Sequence, residues 1–500
     1  MEEIGTVISF QNTPNTQEFW FVLKKGTNIP KGAYVSCSLE NKRLLARVDD
    51  IVKTNRYFMQ AEAVDSYEEP LDTHFPTDLW EYTVAYATCL GIVDDNKRIF
   101  RPFSPASPGS PVFLARKEDL QALFKLDENG LYLGKFLGLD VDVKINLSKL
   151  FQKHLAILSI TGAGKSHTTC VLIEELLKRE LEQGQVSAIV VDVHGEYLSF
   201  MYDENFSGKT FVYYGKDIRI GLPSLSSHYL SLFLPNLTFA QKRELKKAIS
   251  DLKKKQEIFG MKELMQEIEN SESIKPSTKE ALLANLEQLR NLGLFGYYDN
   301  PNPKNLALQG KLSILDLSDL IDNTKRQMIL AYFANELFNL RRQRKVPPFI
   351  LFIEEAHNFA PEKASKEEAI SSFIIKKIAR EGRKFNSSLC LISQRPVNLS
   401  TTALSQCNTQ IYLRIVNPYD IDHIAKSSEG LTSDLKKMLP SLQVGEAIIV
   451  GEATSYPLLV KIRDKEVKLV EKHKSMEEEA IEYANATDQM KDDVKAFMQN

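Results

Sequence analysis

The chain has 500 residues, too many for one ordinary hydrophobic core, so two or three domains are expected. Hydrophobic residues make up 43% of it and charged residues 26%, which excludes a disordered chain, and no run of about 18 apolar residues offers a membrane span. The net charge of −3 excludes a globally basic surface, so any contact with nucleic acid must come from a local patch.

The opening MEEIGTVISF is acidic and lacks the basic start, apolar stretch and small-residue cleavage site of a signal peptide. Five cysteines lie scattered without metal-ligand or paired spacing, as expected of buried thiols in a reducing compartment. A cytoplasmic location is the expectation. From Gly5 to about Val93, short β-rich runs recur between polar breaks: GTVISF, EFWFVLK, AYVSCSL, RLLARVDDIV, YFMQAEA and YTVAYATCLGIV. Several short strands without a long helix predict a small β-barrel over residues 1–100. The stretch RPFSPASPGSPVF, with Pro102, Pro105, Pro108 and Pro111, reads as a linker or an ordered extended crossing within a lead-in that spans 101–150.

Thereafter buried strands alternate with helical segments: LAILS (155–159), VSAIVVDV (186–193), KLSILDL (311–317), FILFIE (349–354), SLCLIS (388–393) and QIYLRIV (410–416). Continuous apolar strands between helices predict an α/β fold, a parallel sheet covered on both faces, over 151–223 and 296–465. The intervening residues 224–295 read as a helical insertion: Leu245, Ile249 and Leu252, then Leu282, Leu286 and Leu289, follow helical period, and Thr238 to Gln241 and Ser277 to Glu280 each match a capping box. Residues 466–500 are charged and helix-prone, either a solvated tail or a brace against a neighbouring subunit.

The segment SITGAGKSHTT, 159–169, carries the end of a phosphate-binding loop, Gly164-Lys165-Ser166, but the glycine expected five residues before Gly164 is Ser159. Its setting, a strand, a turn and then a helix, is the one such a loop requires. Backbone N–H groups across Thr161, Gly162, Ala163, Gly164, Lys165, Ser166 and His167 would wrap the β-phosphate of ATP, where the helix dipole also favours negative charge. Lys165 would reach the β- and γ-phosphates, Ser166 would ligate Mg2+, and Ser159 would merely close the strand. The plain alternative is a Gly-rich turn with an exposed lysine.

FILFIEEAH ends an apolar strand in two carboxylates, Glu354 to hold Mg2+ through water and Glu355 to orient the attacking water. VVDVHGEY places Asp192, His194 and Glu196 past another strand, and LISQRP places Gln394 where an amide can sense the γ-phosphate. Arg380 and Arg383 share a helix face in IIKKIAREGRKF; either they compensate the helix dipole, or Arg383 is a trans-acting arginine finger.

In their order and spacing, HLAILSITGAGKS, VVDVHGEY, FIEEAHNF, IAREGRKF, ISQRP and VGEAIIVG, with a β-barrel in front, resemble the HerA family of the HerA/FtsK group of ATPases. The resemblance implies a RecA-like P-loop ATPase core with a helical insertion, a barrel of the kind found in ATP synthase subunits, and a homo-hexameric ring threading double-stranded DNA. It also implies a partner nuclease, usually NurA, for end resection in double-strand-break repair, or another effector in phage defence. By motif position it gives Lys165 and Ser166 the nucleotide roles, Glu354 the metal role, Glu355 the catalytic role, Gln394 the sensor role and Arg383 the finger. Lys153 departs from the pattern, since an arginine often precedes the histidine that stands here as His154. A ring offers DNA only its bore, so a few cations per copy suffice, and Lys363 and Lys366 are the candidate pore-loop residues. A ring that threads polypeptide, or a scaffold that uses ATP as an assembly switch, are the competing readings.

Overall fold

Alternation fixes the first sheet: in Glu18–Leu23 every second side chain, Phe19, Phe21 and Leu23, is buried while its neighbours are partly exposed. The computed structural model describes residues 3–9, 13–55, 81–255, 257–363, 369–428, 430–468 and 476–484; the run YFMQAEA and Lys366 lie outside them. Among the described residues seven strands build this sheet: β1 (Glu3–Ile8), β2 (Glu18–Leu23), β3 (Tyr34–Leu39), β4 (Lys42–Asn55), β5 (Glu81–Asp94), β6 (Ile99–Phe100) and β7 (Pro111–Leu114). Their order is β2-β1-β7-β3-β4-β5, antiparallel throughout, and β5 pairs back onto β2, so six strands close a barrel while β6 hangs on β5. Closure removes the sheet edges that would otherwise be open to wrong pairing.

The closing strand comes from the proline-rich stretch expected as a linker. Pro111 opens β7, a position where a missing N–H is tolerated, and β7 fills the gap between β1 and β3. The rest of 101–150 is no plain lead-in either. After the helix Lys117–Phe124 it supplies β8 (Leu131–Phe136) and β9 (Asp142–Ile145), which join the second sheet because Leu131, Leu133, Phe136, Val143 and Ile145 are buried in its core. Tyr34 of the barrel bolts the two sheets together. Its ring meets Phe124 and Phe136 edge-on at 5.3 and 5.4 Å, and its hydroxyl accepts from the Leu459 N–H at 3.4 Å.

The second sheet continues with β10 (Leu155–Leu158), β11 (Ser187–Asp192), β12 (Thr210–Tyr214), then, past the short pair β13 (Ile220–Gly221) and β14 (Phe295–Gly296), β15 (Leu312–Asp316), β16 (Phe349–Ile353), β17 (Ser387–Ser393), β18 (Thr409–Tyr412), β19 (Glu446–Gly451) and β20 (Leu458–Ile462). Its order is β12-β15-β11-β16-β17-β10-β18-β19-β20-β8-β9. Neighbours from β12 to β18 are parallel, and those from β18 to β9 are antiparallel. β10, β11, β15, β16 and β17 are buried along their whole length, as strands covered on both faces must be. The helix Lys165–Lys178 packs on one face, and the helices Asn323–Arg342 and Ser372–Glu381 on the other. This is the fold the sequence implies, an N-terminal barrel on an α/β P-loop ATPase core, with the edge strand β12 and the antiparallel wing β19–β20–β8–β9 beyond the six expected strands.

Residues 224–295 carry the helices Phe239–Lys255, Met261–Glu269 and Pro276–Asn291, whose apolar stripes, including Leu245, Leu264 and Leu286, merge with the core. The capping box at Thr238 forms: the Gln241 N–H donates to the Thr238 hydroxyl at 3.3 Å and the Thr238 N–H to the Gln241 side-chain oxygen at 2.7 Å. The one at Ser277 does not, because Pro276 already opens that helix and Ser277 lies inside it. Of the tail, residues 476–484 are an exposed helix.

Candidate active site

Four parallel strands, β11, β16, β17 and β10, lie side by side in that order, so their carboxyl ends deliver Asp192, Glu354-Glu355, Ser393-Gln394 and the loop after Ser159 to one sheet edge. The loop that leaves β10 turns with Gly162 at φ +77° and Gly164 at φ +100°, left-handed values that a side chain would strain, and Lys165 then opens a 14-residue helix. The unpaired N–H groups of that helix's first turn are a ready phosphate cradle. Together with Thr161, Lys165 and Ser166 from the loop, His194 and Glu196 from the β11 end, and Glu355 and Gln394 from their strands, they enclose a cavity of about 650 Å3. That volume suits a nucleotide-sized ligand.

Ser159 is fully buried, and its N–H donates to the Ser393 carbonyl at 3.2 Å, so it closes the strand and stays out of the cavity. Ala163 is also buried, under the turn. His167 borders the cavity, but its Nε2 is tied to the Arg463 carbonyl at 2.8 Å. Thr161 donates from its hydroxyl to the Gln394 side-chain oxygen at 2.5 Å, so the phosphate loop and the candidate sensor are joined.

Glu355 and Lys165 form a nearly buried ion pair across the cavity floor. Glu355 has φ +47°, left-handed for a residue with a side chain, a strain of about 1–3 kcal/mol that such sites retain where it aims a reactive group. Its second oxygen lies 3.3 Å from Nδ1 of His357, and that nitrogen is 3.0 Å from the Ser393 hydroxyl. Burial pushes the His357 pKa below its ordinary value, against the pull of Glu355, so the ring is neutral at pH 7. His357 thus bonds the Ser393 end of β17 and lies beside the Glu355 oxygen, which has no hydrogen-bond partner among the described residues; FIEEAH displays the residue, but not this placement.

Glu354 is fully buried behind Glu355. One of its oxygens accepts from the Val193 N–H at 3.3 Å, while Oε1 has no hydrogen-bond partner among the described residues. Burial, and after it the charge of Asp192, raises its pKa. Asp192 accepts from the N–H groups of His194, Gly195, Glu196 and Tyr197 at 2.7 to 3.2 Å, so of this carboxyl pair Asp192 is the better held as an anion and Glu354 carries the proton. The same four bonds hold His194 and Glu196 at the cavity rim. Ser166 and Glu355 line the cavity and the orphaned Glu354 Oε1 is buried behind Glu355; once Glu354 gives up its proton, these oxygens are of the kind that fits a hard cation such as Mg2+.

Arg380 and Arg383 are exposed and lie at the opposite edge of the sheet, at the amino end of β17, outside this cavity. Lys153 is ion-paired with Glu452 of its own chain. Lys363 is exposed and follows a segment tied to residues 398–401: Pro361 bridges Leu399, and the Glu362 carboxylate accepts from the Thr401 N–H at 2.6 Å.

Residues 131–337 match the family described as "Helicase HerA, central domain". The DNA double-strand break repair helicase HerA of Pyrococcus furiosus is 30% identical over 441 residues, 76% of this chain and 78% of that one. A probable DNA double-strand break repair helicase HerA of Methanocaldococcus jannaschii is 32% identical over 454 residues, 76% of this chain and 85% of its own. In fold, the chain is similar to VirB4 of Thermoanaerobacter pseudethanolicus, with a TM-score of 0.53 and 18% identity over 67% of this chain and 97% of that one.

Proposed function

The chain belongs to the HerA helicase family, an ATP-hydrolysing enzyme family of DNA repair, and on that premise we propose that it is an ATP-driven translocase that moves double-stranded DNA. In this reading residues 151–223 and 296–465 are the motor, 224–295 its insertion, and six copies form a ring that feeds DNA ends to a nuclease of the NurA kind. The observation that carries it is the convergence of Lys165, Ser166, Glu355 and Gln394 on one cavity at the carboxyl edge of a parallel sheet.

The Lys165–Glu355 pair gives the site its starting state. An entering triphosphate competes for the Lys165 ammonium, and the Glu355 carboxylate, released from it and steadied by His357, turns to orient a water and accept its proton. Ser166 and Glu354 would hold Mg2+, which when bound neutralises charge on the β- and γ-phosphate oxygens. Gln394, already joined to Thr161, reports the γ-phosphate to β17. Arg383, exposed and outside its own cavity, would in this reading serve the cavity of a neighbouring copy, where a guanidinium stabilises charge on the transferring phosphoryl group.

Glu355→Gln tests the assignment. The variant should bind ATP normally and lose about a hundredfold or more in turnover, because an amide cannot take the proton. Near-normal turnover would move the role away from Glu355, and wild-type turnover that does not rise with added duplex would remove DNA from the reading.

A further inference from the structure

Two basic segments about forty residues apart in the chain, RRQRK at 341–345 and RK at 383–384, meet at the amino edge of β16 and β17, opposite the nucleotide cavity. Between them lies a second cavity of about 450 Å3, lined by Arg341, Arg342, Arg344, Lys384, Phe385 and Asn386. Four of the six are cations and none is a carboxylate. Arg341 is fixed in place: its Nε donates to the Phe385 carbonyl at 2.7 Å and its Nη1 to the Val346 carbonyl at 3.0 Å. Arg342 lies over the Phe385 ring, 5.7 Å from its centroid, and over Phe338 at 6.0 Å.

Compensation of the helix dipole accounts for a cation or two where the helix Asn323–Arg342 ends, but not for this set. The helix stops in a Schellman turn, with the Arg344 N–H donating to the Arg341 carbonyl and the Lys345 N–H to that of Leu340, both at 2.9 Å. The left-handed position of that turn, ordinarily glycine or asparagine, is Arg344 at φ +56°, so a strained backbone carries a guanidinium there. Lys384 arrives from another segment altogether. Burial first, and the charge of Arg344 second, lower the Arg341 pKa, and no carboxylate lines the cavity to offset its four cations. Such a set is stable when an anion completes it.

We propose that this cavity is a phosphate-binding site separate from the nucleotide cavity, and that its occupant is the backbone of a nucleic acid. Guanidinium forks match phosphate oxygens two at a time, and Phe385 holds one of them, Arg342, at the cavity through its ring. The positive surface also runs on past the cavity through Lys345 and Lys377, as suits an extended polyanion better than a single phosphate. The site answers how a chain of net charge −3 holds DNA at all, and it rests on the translocase reading above.

The test is the salt dependence of binding to a fluorescein-labelled duplex, followed by anisotropy, in the full chain and in the triple variant Arg342→Ser, Arg344→Asn, Lys384→Ser. Arg341 is left alone because it closes two backbone carbonyls, and asparagine at 344 tolerates the left-handed turn. Each lost phosphate contact removes about 0.9 from the slope of log affinity against log salt, so between about 50 and 200 mM the wild type should lose about 40-fold more affinity than the variant. Turnover without DNA should be unchanged, since none of the three borders the nucleotide cavity and the proposed trans arginine, Arg383, is left in place. Equal slopes overturn the proposal. If the slopes are equal but inorganic tripolyphosphate protects only the wild type from tryptic cleavage in this segment, the ligand is a free polyphosphate and the nucleic-acid assignment is overturned. A wild type that turns over ATP yet binds no duplex at the lowest salt overturns this proposal and the DNA substrate together, whereas one that binds duplex with the expected slope but lacks turnover sinks only the motor reading.

Discussion

His154 stands just before β10 and is 2% exposed, its backbone in the left-handed region at φ +63°. Its Nδ1 accepts from the Leu389 N–H at 3.0 Å, which leaves the proton on Nε2 to donate to the Ala379 carbonyl, also at 3.0 Å. Both nitrogens are therefore committed to the neutral ring. Burial lowers its pKa from 6.5 to about 4, the Ala379 bond only partly opposing the shift. Below pH 6.5 the unfolded chain takes up a proton that the folded chain refuses, so stability is full above that pH and falls as pH drops towards 4. At about 1.4 kcal/mol per unit, the loss over the whole interval is about 3 kcal/mol. His154→Leu strands the Leu389 N–H and costs about 1–3 kcal/mol at every pH, but has no acid-dependent part. Trp20 lies in β2, so its fluorescence would report the barrel. Hydrogen exchange of a peptide covering 387–393, corrected for intrinsic rates, reads the right place. Between pH 7 and about 4.5 the wild type should lose about 2 kcal/mol more protection than the variant, other titrating groups being common to both. Equal losses would refute the argument.

Glu354→Gln should raise the thermal midpoint of the nucleotide-free chain at pH 7, because a buried carboxyl that must take up a proton on folding is replaced by a neutral amide, while Mg2+-dependent turnover is lost; a lower midpoint would deny the protonated state. His357→Ala should lower kcat about tenfold with KM for ATP little changed, and His357→Asn, whose amide reaches the place of Nδ1, should restore most of it; equal loss in both would reduce the ring to packing. Arg383→Ala should bind ATP but hydrolyse it poorly, and mixing it with Lys165→Ala should recover some activity, since a mixed interface pairs an intact loop with an intact arginine; a monomer hydrolysing at the full rate excludes action in trans. Lys363→Ala should lower DNA-stimulated turnover more than basal turnover, and full stimulation would shift the pore loop to the adjoining segment 397–406.

The strand ends that meet at the carboxyl edge were legible because their signals are local: a strand that ends in a glycine turn, and strands that end in carboxylates, lie within ten residues each. The barrel's closure was not, since a short strand opening on Pro111 carries the marks of a linker until its partners β1 and β3 are in place. Ser277 matched a capping pattern that Pro276 pre-empted one position earlier. His357 sat in plain view, but its bond to Ser393 and its place beside Glu355 depend on β16 and β17 being neighbours. The cationic cavity needs still more, two helix ends brought together from either side of β16.

β17 explains how the two edges of the sheet can act on one another. It is seven residues long, about 23 Å at 3.3 Å per residue, and buried at every position. At its carboxyl end Ser393 meets His357 and Gln394 meets Thr161, so a change at the phosphate loop or at Glu355 is felt there first. At its amino end stand Arg383, the proposed trans arginine, and Lys384, which lines the cationic cavity. His154 clamps this end to the start of β10 and to the helix Ser372–Glu381, while the Leu158–Ser393 register clamps the other. A strand held at both ends in a close-packed core moves as one body rather than bending. In the proposed ring, a shift set at one edge would then arrive at the other as a displacement of the arginine segment, the movement that reading needs to pass hydrolysis from one copy to the next.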